Sequence, residues 1–319
     1  MLNRQQNSSF DLGARDFYIS PSINSSGDNN MISAVFRDYD QKALDLEYDN
    51  RGRFPDTADC KAAQVEGSDE AKNTFDCQLD IRFGPDNTDL LDIYLAEGDT
   101  PNPIHVFFHG GYWKSNTKND FGFVAKPFVP HGITTVVVEY PLIPAVRMNK
   151  LIDRCRAAMN WVWQNADSFG GNRDKITISG HSAGGHITAM MLQTDWPTYS
   201  NELPKNLVKA GCSISGVSDL EPVRLSFQND ELQFDKNEAA AFSTLYMEPR
   251  HPGPFLGVAG GIEGPEFIRQ TTELMDAWGQ KGMDAKCWIM EGKHHFTTIN
   301  QYLDAASDLS RRVRDLTNI

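Results

Sequence analysis

Polar and apolar residues alternate over residues 78–83 and again over 91–95, with Gly84-Pro85-Asp86-Asn87 between them. That is the pattern of two half-buried antiparallel strands joined by a turn. The apolar runs that follow, at residues 104–108, 133–138, 176–178, 210–214, 255–259 and 287–290, have no polar face. Short continuous runs of this kind are expected of strands covered by helices on both sides. Between them the apolar period lengthens. Leu151, Cys155, Ala158, Met159 and Val162 form one helical face, ended by Gly170-Gly171; Phe267, Thr271, Leu274, Met275 and Trp278 form another, stopped by Gly279 and Gly282. Strands alternating with helices predict an α/β fold with a mostly parallel central sheet and helices on both faces.

Upstream of residue 75 this rhythm weakens. Residues 1–38 are polar, most loop-like at 20–30, and read as an arm; residues 39–73 are helix-compatible, with a turn at 50–55. The expected division is an N-terminal arm and cap segment at 1–74 and a catalytic domain at 75–319, with 220–254 as a cap insertion. Residues 1–75 and 220–254 are then the candidate pocket walls, and Phe227, Phe234, Phe242 and Tyr246 their candidate aromatic contacts.

Composition excludes several function classes. A formal charge of −13 argues against nucleic-acid and anionic-membrane partners, because few cations are available to displace counterions from a phosphate surface. The first residues lack the apolar core of a signal peptide, and no apolar run approaches the ~18 residues of a membrane span. A cytoplasmic location is the expectation. The five cysteines show no paired Cys-x-x-Cys spacing, so they read as small hydrophobes rather than as a disulfide framework or zinc site. No Gly-x-Gly-x-x-Gly follows the first strands, which removes a dinucleotide site. Neither cofactor nor metal is expected, and a homo-oligomer stays open.

The chemistry begins at Gly180-His181-Ser182-Ala183-Gly184-Gly185-His186, which follows a strand and precedes an apolar helix containing Ile187, Met190 and Met191. This fits the Gly-x-Ser-x-Gly turn that lifts a serine hydroxyl out of a sheet. Such a serine needs an imidazole to take its proton and an acid to hold that imidazole in one tautomer. The turn after the last predicted strand supplies the adjacent pair His294 and His295, of which His295 is preferred because Phe296 begins the closing helix. His105, His131 and His251 read as structural or surface residues, and His109, His181 and His186 as supports for the glycine turns. For the acid, Glu263 in the loop after the preceding strand is placed ahead of Asp219, which can equally cap the next helix; Glu266 suits a helix N-terminus. Gly110 and Gly111 after an earlier strand, with the Ala183 N–H, are the candidate oxyanion donors.

These residues resemble the α/β-hydrolase superfamily, on its hormone-sensitive-lipase-like side. More narrowly, His109-Gly110-Gly111-Tyr112-Trp113, the serine turn, Ser215-Gly216-Val217-Ser218-Asp219-Leu220 and Pro265-Glu266-Phe267-Ile268-Arg269-Gln270 are similar to the kynurenine formamidase (arylformamidase) branch, over roughly residues 75–305. The resemblance implies an α/β-hydrolase fold whose N-terminal extension contributes to a cap. It implies Glu263 as the acid, where the branch commonly has Asp, and His295 as the base. It also implies a small aromatic amide, formamide or ester as substrate, cleaved by the acyl-serine route that the serine turn suggests; Tyr112, Trp113 and Trp196 are the candidate substrate contacts. A short-chain carboxylesterase is the alternative within hydrolases. A non-catalytic binding module is the alternative outside them, and such modules typically lose a triad member.

Overall fold

The computed structural model of the protein describes residues 33–98 and 101–317. Most of the expected arm at 1–38 lies outside the described residues. Eight strands make one sheet in the order β1-β2-β4-β3-β5-β6-β7-β8. The strands are β1 Cys77–Arg82, β2 Leu90–Tyr94, β3 Asn102–Phe108, β4 Thr134–Val138, β5 Gly171–His181, β6 Val208–Ile214, β7 Phe255–Gly260 and β8 Ala285–Met290. β1 and β2 pair antiparallel, as do β2 and β4; every pairing from β4 through β3 to β8 is parallel.

The helices are α1 Gln41–Tyr48, α2 Asn50–Arg53, α3 Thr57–Thr74, α4 Met148–Asn165, α5 Ala183–Leu192, α6 Trp196–Tyr199, α7 Glu221–Leu225, α8 Asn229–Leu232, α9 Lys236–Ala241, α10 Pro265–Gln280, α11 His295–Ile299 and α12 Asp308–Thr317. Side chains alternate across a strand, and the two cores follow from that. Val106 and Phe108 of β3 join one cluster with Leu151 and Met159 of α4, Ile187 of α5 and Trp278 of α10. Phe107, between them, points to the other face, with Phe121, Phe123, Leu309 and Val313. Burying each such side chain contributes about 1.5–3 kcal/mol, and His105 and Thr177, among the few polar residues in the central runs, are hydrogen-bonded to each other.

Three local expectations are corrected. The run at 287–290 lies in β8, the edge of the sheet, so Lys286 and Cys287 are exposed instead of covered on both faces. The Phe267–Trp278 helix does not stop at Gly279 but runs through it to Gln280 and ends before Gly282, whose φ is +91°. Where a turn was expected at 50–55 there is one helical turn, α2, with the Asp49 carboxylate accepting from the Gly52 N–H.

The N-terminal helices are bonded into the body. The Tyr48 hydroxyl donates to Glu266 Oε2 at 3.2 Å and accepts from Gln270 Nε2 at 2.8 Å, and Glu47 Oε2 accepts the Glu266 N–H at 3.0 Å. On α3, Gln64 Nε2 donates to Asn300 Oδ1 at 2.7 Å. Buried pairs of this kind tie α1 and α3 to the elements that follow β7 and β8. Residues 220–254 form the short helices α7–α9 between β6 and β7.

Candidate active site

β5 ends at the centre of the sheet, and the chain reverses there into α5 with Ser182 at φ +57°, ψ −119°. A non-glycine residue in this region carries about 1–3 kcal/mol of strain that its surroundings must offset. The Ser182 N–H donates to Ile214 O at 2.8 Å, and small neighbours permit the approach. A Cβ on Gly180 would sit 2.1 Å from Gly184 O, and one on Gly184 would sit 1.9 Å from Phe108 O. Gly180 is therefore required by the tight reversal into α5, and Gly184 by the contact between the serine turn and β3.

The turns after β7 and β8 bring the proposed acid and base together. Glu263 is fully buried, and its Oε1 is bonded to His295 Nδ1. Its Oε2 accepts from the Gly260 N–H at 2.7 Å and from the Ser215 hydroxyl at 2.8 Å. His295 opens α11, with its carbonyl accepting from His181 Nε2 at 2.8 Å and from the Thr298 hydroxyl at 2.9 Å. Asp219 has different partners: Oδ2 lies 3.3 Å from Arg269 Nη2, and Oδ1 accepts the Glu221 N–H at 3.2 Å. Burial pushes its carboxyl up, against the opposing pull of Arg269.

His294 turns away from His295 as the N-cap of α11. Its Nδ1 accepts the Phe296 N–H at 3.3 Å, its Nε2 is 3.1 Å from Asp56 Oδ2, and its ring stacks on Phe54 at 4.3 Å. That bond to His294 holds the Asp56 carboxyl below its ordinary range. Asp56, Cys60 and His294 offer ligand atoms within 4.8 Å of one another. With Nδ1 acting as acceptor, Nε2 carries the ring proton and donates it to Asp56. A cation would have to displace that proton, so the trio reads as a strap between α3 and α11.

Gly110 and Gly111 follow β3 beside the serine. A Gly110 Cβ would lie 3.1 Å from Ser182 Cβ, and Gly111 has φ +126° with its absent Cβ only 2.2 Å from Ser115 O. Ala183 is the first residue of α5, where the N–H has no intrahelical acceptor. His109 supports this turn by stacking on Tyr140 at 4.1 Å, and its Nε2 lies 3.2 Å from Glu139 Oε1. His105 is a buried core residue bonded to Thr177 and Ser179. His186 bonds to Trp113 Nε1 and Phe242 O.

Ser182, His295, Gly110 and Gly111 line one cavity of about 280 Å³. Its other wall comes from the N-terminal helices through Asn50, Arg51, Lys61 and Gln64, and from Phe121, Phe227 and Gln228. Tyr112 lines it too, with its hydroxyl donating to Tyr48 O at 3.0 Å and accepting from Asn50 Nδ2 at 3.2 Å. Two expected substrate contacts are corrected. Trp113, with φ +57°, is turned under the loop, fully buried, and donates to His186 Nδ1 at 3.2 Å. Trp196 is 2% exposed and packs edge-on against Tyr199. Neither indole lines the cavity. Of the four aromatic residues in 220–254, only Phe227 does; Phe234 packs on Trp113, Phe242 joins the core, and Tyr246 is largely exposed.

The charged residues of the lining are Asp49, Arg51, Lys61 and the paired Lys114 and Glu231, whose Nζ and Oε1 lie 2.7 Å apart. Neither Arg51 nor Lys61 has an acidic partner among the described residues; Lys61 Nζ donates only to Asn116 Oδ1 at 3.3 Å. Burial, and secondarily the Arg51 charge, lowers the Lys61 pKa. Sequence reasoning counted residues 1–75 among the candidate pocket walls but did not single out Lys61, Gln64 or Phe121. Nothing in their local spacing distinguishes them from ordinary helix positions.

The BD-FAE family model matches residues 91–246. The kynurenine formamidase of Danio rerio is 30% identical over 250 residues, covering 76% of this chain and 83% of the relative. The chain belongs to the kynurenine formamidase family of α/β-hydrolases. Esterase LipC of Mycobacterium tuberculosis is 31% identical over a shorter stretch, 39% of this chain and 32% of LipC. A solved structure from a Silicibacter species superposes with a TM-score of 0.75 at 29% identity, covering 85% of this chain and 98% of the other. As a member of this family the chain is a hydrolase of the amide- and ester-cleaving class. No helix among the described residues is long and apolar enough to cross a membrane.

Proposed function

We propose that the protein hydrolyses a small aryl formamide, or a related aryl amide or ester, through an acyl-serine intermediate. One observation carries this reading: Ser182, on a strained turn, shares a cavity with His295, whose other ring nitrogen is held by the fully buried Glu263. The Ser182 hydroxyl attacks the carbonyl carbon while His295 Nε2 takes its proton. The N–H groups of Gly110, Gly111 and Ala183 receive the developing oxyanion, where each donor removed typically costs about 10²–10³ in rate. Collapse of the tetrahedral intermediate breaks the carbon–heteroatom bond as His295 returns the proton to the leaving amine or alcohol. Water then attacks the acyl-serine, again with His295 as base, and releases the acid. Glu263 keeps Nε2 unprotonated at the start and stabilises the imidazolium that forms.

The name of the Danio relative specifies a formamide whose leaving group is kynurenine, an aryl amine bearing an α-amino acid. Arg51 and Lys61 support a substrate of that kind here, since two cations without ion-pair partners outnumber the unpaired acid Asp49 in the cavity lining and suit a carboxylate on the leaving group. A second reading, a short-chain carboxylesterase, draws on the LipC similarity. The two readings predict opposite preferences between N-formyl aryl amines bearing a carboxylate and uncharged p-nitrophenyl esters. A cytosolic setting fits the five cysteines, all of them free.

The deciding experiment is Ser182→Ala with a turnover panel of formamides, anilides and esters, together with fluorophosphonate labelling read by intact mass. The reading expects one adduct on the wild-type protein, none on the variant, and loss of nearly all turnover. Retention of most turnover by Ser182→Ala overturns it.

A further inference from the structure

His181, the residue before the nucleophile, has a divided set of ring contacts that the mechanism above does not use. The side chain is buried, 5% exposed, and lines the same cavity as Ser182 and His295. Its Nε2 lies 2.8 Å from His295 O. A carbonyl oxygen can only accept, so Nε2 carries the proton. Burial and the nearby His295 hold the His181 imidazole well below the ordinary histidine range, and the ring is neutral. A neutral imidazole has one N–H, so Nδ1 is a bare acceptor. Among the described residues, no donor bonds to it.

The position of that nitrogen is fixed by Gly110. The point a Cβ on Gly110 would occupy is 3.1 Å from His181 Nδ1 and 3.1 Å from Ser182 Cβ. His181 lines the cavity together with Ser182, and its acceptor lies on the side of the serine turn that faces Gly110. The ring also lies close to the base, with centroids 4.5 Å apart. An acceptor in the lining of a site otherwise equipped with donors for the oxyanion is useful to one class of substrate only. In the tetrahedral intermediate of an amide the nitrogen lone pair must face His295 Nε2–H to be protonated, which turns the amide N–H away from the base. An ester has no hydrogen on its leaving oxygen.

We propose that His181 Nδ1 accepts the leaving-group N–H of an amide substrate in the tetrahedral intermediate and so selects amides over the corresponding esters. The inference rests on the acyl-serine reading of Ser182 and His295. No additional proton moves: His295 Nε2 delivers the proton taken from Ser182 to nitrogen, the carbon–nitrogen bond breaks, and the N–H bonded to His181 leaves as part of the amine. A site that bonds a substrate N–H discriminates against the analogue lacking it, because the acceptor that the bound substrate shields from water is then left unpaired.

The test compares formanilide, N-methylformanilide and phenyl formate in the wild-type protein, His181→Phe and His181→Met. Either variant removes the donor to His295 O as well as the acceptor, so a loss common to all three substrates reads the positioning of the base. The proposal concerns the ratio. The formanilide to phenyl formate ratio of kcat/KM is expected to fall roughly tenfold, the worth of one hydrogen bond, in whichever variant folds. The preference for formanilide over its N-methyl analogue should shrink with it. Unchanged ratios in a folded variant overturn the proposal and leave the triad standing. A wild-type protein that neither labels at Ser182 nor turns over phenyl formate overturns the acyl-serine reading itself.

Discussion

Glu263→Gln separates the proposed acid from its surroundings with little change of shape. The glutamine carbonyl can replace Oε2 in accepting from the Gly260 N–H and the Ser215 hydroxyl. Its NH₂ group then faces His295 Nδ1, where the carboxylate Oε1 now sits. Two donors cannot share that contact, so the imidazole must carry its proton on Nε2, the nitrogen that has to accept from Ser182. Loss of the correct tautomer in a triad costs on the order of 10⁴ in kcat, about 5.4 kcal/mol of barrier at 1.36 kcal/mol per factor of ten. Stability should change little, because two of the three carboxylate contacts survive. The assay is kcat on p-nitrophenyl acetate and on formanilide, with a thermal melt of each variant. Asp219→Asn is the control: it weakens the pairing with Arg269 and should lower the melting temperature without a comparable loss of kcat. A folded Glu263→Gln protein that keeps kcat within about tenfold of wild type would refute the tautomer argument. So would an Asp219→Asn protein that loses as much.

Other outcomes follow from the same geometry. Gly184→Ala places a methyl group 1.9 Å from Phe108 O, so the serine turn must separate from β3; a loss of several kcal/mol in chemical denaturation is expected, and an unchanged midpoint would contradict the close approach. Arg51→Ala and Lys61→Ala should each raise KM for carboxylate-bearing formamides, with little effect on p-nitrophenyl acetate, and the wild-type preference should weaken with added salt. Equal effects on both substrates would remove the anion subsite. Burial lowers the His105 pKa to about 3 and the His186 pKa to about 4, against an ordinary value of 6.5. Folded-state values below the unfolded one mean that this stability is fully present above pH 6.5 and is lost as pH falls toward about 3. Denaturation midpoints measured across that range should decline, and His105→Gln should flatten the decline; an identical slope in the variant would assign the acid lability elsewhere.

The sequence by itself determined the sheet and the order of its chemistry. Strands covered on both faces are dominated by apolar residues, so β3 to β7 announced themselves, and a serine on a strand-to-helix reversal requires glycines where Gly180 and Gly184 stand. Each proposed triad residue lies a few positions beyond a recognisable strand, which is why Ser182, Glu263 and His295 could be named from spacing. Edge exposure was not legible in the same way: β8 has an apolar run, yet its place at the margin of the sheet follows from which strands pair. Tertiary structure alone decided what faces the cavity. Trp113 and Trp196 are the large aromatic residues that local reasoning favours, but backbone direction and packing turn both into the core. Lys61 and Gln64 sit on α3, where local spacing gives no sign of a site, and they line the cavity because Tyr48, Glu47 and Gln64 anchor the N-terminal helices to α10 and to the segment after α11. Local spacing encodes periodicity and turn geometry. The side chains that meet across hundreds of residues are chosen by long-range packing and by buried polar pairs whose partners must be satisfied.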